Sequence, residues 1–224
     1  MHIPDGFLDP YLCVLMYIIA LVSLAWAWKG VKKTFPRSFV PIMAVSSALV
    51  FVGQMLNFPI VYGTSGHLVG GTFLAMLLGP QGAVISMSIV ILIQAVFFAD
   101  GGISTFRANI FNMAVIGGLS FYVVKLLSNT SSSQKRFAVS VFVASWFSIV
   151  LGALATATQI GVSSMFAPVG GVTVTVPAMF FWHVIIGVGE AAITTSLTSQ
   201  FLRIKPTLLN GAAMLRGLTH EKRH

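Results

Sequence analysis

A chain of 224 residues that is 56% hydrophobic and only 8% charged lacks the roughly 25% charged residues with which a soluble domain covers its surface, so it is built to dissolve in lipid. Its net charge of +8 would suit nucleic acid, but the lysines and arginines fall between apolar runs, which points to lipid headgroups and topology and excludes nucleic acid as a partner. No Pro/Ser-rich linker or charge run divides the sequence, so residues 1–224 are expected to form one transmembrane domain.

Residues 1–10 contain no lysine or arginine and instead carry Asp5 and Asp9, which is the wrong chemistry for the start of a cleaved secretory signal, so the N-terminus is expected to be retained. Apolar runs long enough for a helix to cross the hydrocarbon core follow at 11–28, 40–57, 81–98, 106–127, 137–160 and 177–203. A shorter run at 68–79 is either a further span or a re-entrant hairpin. Charge decides between them. Lys29, Lys32, Lys33 and Arg37 follow the first run and mark a cytoplasmic loop. Counting the short run as a span puts Lys125, Lys135, Arg136, Arg203, Lys205, Arg216, Lys222 and Arg223 on that same side and leaves only Arg107 outside. Omitting it puts the later clusters outside. The expectation is an all-α polytopic bundle of about seven transmembrane helices in the cell (inner) membrane, with residues 1–10 extracellular and a basic cytoplasmic tail at 204–224 lying along the inner leaflet.

His2 and His67 then share the outer side. The eight residues between His2 and the first run reach at most about 26 Å, and Pro4 with Asp5 and Gly6 favours a turn that folds the segment back over the bundle. A free amine on Met1, the backbone amide nitrogen of His2 and the His2 imidazole can close fused five- and six-membered chelate rings on one metal ion. His67 can fill the remaining in-plane position; otherwise it is a loop histidine bonded to a carbonyl. Its flanks, Gly63-Thr64-Ser65-Gly66 and Gly70-Gly71, tolerate close packing and unusual dihedrals. Four planar nitrogens suit Ni(II) or Cu(II), with Co(II) also open, whereas zinc prefers a tetrahedron.

A ligating imidazole usually hands its other N–H to a carboxylate, carbonyl or amide. Asp5, Gln54, Asn57, Ser65, Asp100, Asn109 and Asn112 stand at the right depth, although interhelical hydrogen bonding explains each amide equally well. His183 and Glu190 lie seven residues apart on one face of the last run and are either a proton relay or a structural pair. Ala44 and Ala48, four apart, allow close helix approach. With Cys13 the only cysteine, an intrachain disulfide and a thiolate metal cluster are excluded. A metalloenzyme is disfavoured because the H-E-x-x-H pattern is absent, and without a G-x-x-x-x-G-K-[ST] loop any ATPase must be a separate chain.

The opening Met1-His2-Ile3-Pro4-Asp5-Gly6-Phe7-Leu8 resembles the start of the CbiM/NikM family. So do the blocks Gly63-Thr64-Ser65-Gly66-His67-Leu68, Gly71-Thr72-Phe73-Leu74-Ala75, Phe97-Phe98-Ala99-Asp100-Gly101-Gly102 and Asn109-Ile110-Phe111-Asn112-Met113-Ala114. That family comprises the substrate-binding membrane subunits of nickel and cobalt energy-coupling-factor transporters. The resemblance implies metal ligands at Met1, His2 and His67 and a fold of six core helices with one added at the N-terminal end. It implies no resident cofactor, Ni2+ or Co2+ as transported substrate, and no enzymatic activity. As partners it implies a transmembrane coupling subunit, which the Ala44/Ala48 face would meet, two ATPase subunits and a small auxiliary membrane subunit. The alternative from the residues themselves is a proton-coupled secondary metal-ion transporter working through His183 and Glu190.

Overall fold

In lipid every backbone N–H and C=O must be satisfied within the protein, so long apolar runs can only become helices. The computed structural model describes residues 1–35, 37–56, 58–60, 64–128 and 133–209. Among these, the helices are α1 (Pro10–Thr34), α2 (Val40–Met55), α3 (Gly71–Phe97), α4 (Phe106–Ser128), α5 (Gln134–Gly161) and α6 (Val172–Ile204). A small antiparallel hairpin, β1 (Phe58–Ile60) with β2 (Thr64–Gly66), pairs Phe58 with Gly66 and Ile60 with Thr64 between α2 and α3. Five of the helices, α1 and α3 to α6, are long and apolar enough to cross a membrane, whereas α2 has sixteen residues. The protein is therefore an all-helical, multi-pass membrane protein with one minor hairpin.

With residues 68–70 ahead of its first turn, most of the short run and of the run after it, expected as separate spans, falls within α3. Gly79 at φ 73°, ψ 172° breaks the helix there, a conformation open to glycine and costly for other residues. Pro80 begins the second stretch, where its fixed φ suits a helix start. Leu77, before the break, lines a groove with Phe201 at the C-terminal end of α6 and Leu208 in the turn beyond it. Just after it, Gln81 packs on Gly30 near the C-terminal end of α1. Gln94, a little over three turns further on, reaches His2 at the opposite end.

α3 is central and buried on nearly every face, touching α1, α2, α4, α5 and α6. It meets α4 backbone to backbone: a Cβ placed on Gly71 would stand 2.8 Å from the Gly117 Cα. α1 buries Met16, Ala20 and Ala27 against the bundle and presents Val14, Leu15, Ile18, Leu21 and Val22 outward, as a helix with lipid on one side should. α5 and α6 form the most extensive helix pair, in which Trp146 Nε1 donates to the Val184 carbonyl at 3.1 Å.

Candidate metal centre

Residues ahead of α1 fold inward as a strap. Ile3 is fully buried, and its peptide is gripped by Asn109 in α4. The Ile3 N–H donates to Asn109 Oδ1 at 2.8 Å, and Asn109 Nδ2 donates back to the Ile3 carbonyl at 3.2 Å. That carbonyl also accepts from Gly102 N at 2.9 Å and from the Thr105 hydroxyl. Asp5 pins the next turn by accepting from the Ser104 hydroxyl at 2.5 Å and from Ser104 N and Ile103 N at 2.7 and 3.0 Å, and those bonds, the hydroxyl's foremost, hold its carboxyl below the usual range. Asp9 does the same on Ser164, with its backbone N–H at 2.8 Å. The Met1 side chain enters the core beside Gly152.

This strap delivers the Met1 amine to 3.3 Å from His67 Nε2 and brings the His2 and His67 rings to 5.0 Å between centroids. Each imidazole has its tautomer fixed by a carbonyl-type acceptor. His2 Nε2 donates to Gln94 Oε1 at 3.1 Å, which leaves the Nδ1 lone pair bare and 3.4 Å from Asp100 Oδ1. His67 Nδ1 donates to the Leu68 carbonyl at 2.9 Å, which leaves the Nε2 lone pair facing the amine. Nδ1 of a second-position histidine is the atom that closes a six-membered ring with its own amide nitrogen. Metal–imidazole bonds of about 2.0–2.1 Å separate cis nitrogens in a square plane by about 2.9 Å, close to the amine–Nε2 spacing.

Protonation follows the geometry. Burial pushes the Met1 amine down to about 6, with Asp100 opposing. It pushes His2 down to about 3, helped by the charge of the amine and opposed by Gln94. His67 falls well below the imidazole range for the same first reason. All three groups are therefore poised as neutral donors near neutral pH. Burial raises the Asp100 carboxyl, and the amine opposes this.

Two spaces border the centre. A cavity of about 570 Å³ opens over it, lined by Met1, His2, Asp5, Asp100 and Gly102 among others. Met1, His67, Val69 and His183 border a second, much smaller space. His183 Nδ1 donates back to the Met179 carbonyl at 2.8 Å. Glu190 is spoken for: Val69 N and Gly70 N donate to its two oxygens at 2.5 and 2.6 Å. Burying a carboxylate costs several kcal/mol, and two charge-assisted hydrogen bonds at about 1.5–3 kcal/mol each offset part of that. Among the described residues no hydrogen bond joins His183 to Glu190, although both are buried on α6.

The expected supporting residues divide accordingly. Asp100 faces His2, Asn109 holds the strap, and Gln54 Nε2 steadies the segment after His67 by donating to the Val69 carbonyl at 2.6 Å. Asp5 bonds loop backbone instead of an imidazole. Asn112 makes a reciprocal pair with Gln159 at 2.8 Å, packing α4 on α5 and bonding no imidazole among the described residues. Ser65 stands in β2; Asn57 and most of the 204–224 tail lie outside the described residues. Gln94 escaped the sequence reading, and its signal was an amide inside an otherwise apolar run, six residues before Asp100.

The model for the CbiM family, described as a cobalt uptake substrate-specific transmembrane region, matches residues 2–208. The fused nickel transport protein NikMN of Rhodobacter capsulatus is 34% identical over 221 residues, covering 93% of this chain and 64% of that longer one. The cobalt transport protein CbiM of Kyrpidia tusciae is 30% identical over 226 residues, covering 96% of this chain and 88% of its own. A solved crystal structure of a transition metal transporter superposes with a TM-score of 0.82 at 36% identity, over 91% of this chain and 93% of that one.

Proposed function

The chain belongs to the CbiM family, and on that premise we propose that it is the substrate-binding membrane subunit of a nickel or cobalt importer. It captures the ion on the outer side in a near-planar site of four nitrogens: the Met1 amine, the His2 amide, His2 Nδ1 and His67 Nε2. The observation that carries this reading is the meeting of the Met1 amine with a lone pair of His67 whose tautomer is already fixed. A bare, buried His2 Nδ1 beside it supplies the chelating atom that the second position requires. The open cavity over His2 gives the ion its approach.

In this reading the N-terminus is outside, the chain crosses the cell (inner) membrane seven times, and Gly79 is the inner turn between two crossings. Because nitrogens and strap enclose the ion, release takes mechanical work. A transmembrane coupling subunit and two ATPase subunits supply it, with a small auxiliary membrane subunit completing the assembly. The chain performs no chemistry on a substrate. The proton-coupled alternative is the weaker, because Glu190 is engaged by two backbone N–H groups and does not face His183 through a hydrogen bond.

The test is nickel and cobalt binding by calorimetry on purified protein with its native N-terminus, beside a version with one residue added before Met1. The addition turns the amine into an amide and is expected to abolish binding. Unchanged binding would overturn the ligand set.

A further inference from the structure

Glu190 is far from the N-terminus in sequence, yet its carboxylate touches the segment that carries His67. Val69 N and Gly70 N, two successive donors, each meet one of its oxygens. Gly70 makes this possible: it adopts φ 74°, ahead of the first turn of α3, and a Cβ there would stand 2.7 Å from Val50 Cγ2. On the same short stretch the Leu68 carbonyl takes the His67 Nδ1 proton and the Val69 carbonyl takes a bond from Gln54. The ring that faces Met1 is thus oriented by backbone that Glu190 anchors to α6.

We propose that Glu190 is a positioning residue of the metal site, setting the place of His67 through Val69 and Gly70 and so tying the fourth ligand to α6. This rests on His67 being a ligand. The carboxylate touches no proposed ligand atom; it acts through two N–H groups that a neutral amide can serve only in part, because the amide nitrogen has no lone pair to offer a donor. Displacing α6 relative to α3 would draw His67 out of the plane.

A double-mutant cycle separates this from a merely structural role, since residues acting through one contact are non-additive. Nickel affinity and the visible absorption of bound nickel are measured for wild type, Glu190→Gln, His67→Ala and the double variant, with thermal unfolding of each metal-free protein alongside. Glu190→Gln is expected to weaken nickel binding about tenfold or more and to shift the absorption in the same direction as His67→Ala. The double variant is expected to bind no more weakly than His67→Ala alone. Glu190→Asp, which keeps the charge but shortens the reach, is expected to fold and to show the same weakening. Wild-type affinity in both Glu190 variants, or losses that add in the double variant, would overturn the proposal. If His67→Ala binds nickel normally, the ligand set itself fails, and that outcome is distinct from an intact His67 effect with no Glu190 effect.

Discussion

An amine is a metal donor only when unprotonated, and burial makes Met1 one by lowering it to about 6. His2, lowered to about 3, does not compete with protons above pH 5, and burial moves His67 in the same direction, well below its usual range. The sign follows from counting displaced protons. Above pH 6 the amine is already neutral, and binding expels only the His2 amide proton, so apparent nickel affinity should fall about tenfold for each pH unit lowered. Below pH 6 the amine must also lose a proton, and the fall should steepen to about a hundredfold per unit. Calorimetry from pH 8 to pH 5 checks both slopes; a flat profile above pH 6 would remove the amide from the ligand set. The candidate ligands were legible because the chelate is local: two adjacent residues supply three of its nitrogens, and only His67 had to be brought from a distance. Gln94 and Glu190 were not read as supports because each acts across the bundle, at a contact no spacing rule in one helix encodes.

At the scale of elements, the strap and α3 carry the site, and both depend on glycines for different reasons. Gly102 lies under the strap with no room to spare: a Cβ there would stand 2.3 Å from Asp5 N, and the contact is backbone, which cannot swing aside. Gly102→Ala is therefore expected to lift the strap and move Met1 and His2, while the helices that make the bundle keep their packing. Nickel affinity should drop about tenfold to a hundredfold, in the range seen when supporting contacts of a metal site are lost. Metal-free thermal stability should change little, which thermal unfolding beside calorimetry would check. Wild-type affinity would mean that the strap does not set the ligand geometry. The helices themselves were legible, since a lipid-soluble run has no other stable form. The relation of the short run to its successor was not, because one glycine φ decides whether Leu78 and Pro80 continue a helix or break it, and hydropathy is blind to φ.

Among the described residues of the whole molecule, basic charge is sorted by end. Lys29, Lys32 and Lys33 near the end of α1, Lys125 near the end of α4, Lys135 and Arg136 at the start of α5 and Arg203 at the end of α6 would all meet the cytoplasmic leaflet if the N-terminus is outside. Arg107, the exception on the metal-site end, lies with its guanidinium 4.4 Å from the Tyr17 ring centre and 5.6 Å from that of Phe106. A cation so covered by aromatic faces is stabilised where it stands and needs no anionic headgroups, so it does not argue against the orientation. The orientation is open to direct test in Cys13→Ala protein, because Cys13 is the sole cysteine. Met165, exposed in the turn before α6, and Lys135, exposed at the start of α5, mark opposite ends of α5. With a membrane-impermeant maleimide on intact cells, Met165→Cys should label and Lys135→Cys should not; in inverted vesicles the pattern should exchange. The reverse pattern would put the Met1 amine in the cytoplasm, where a site gated by the strap would meet the ion after import, and capture from outside would have to be abandoned.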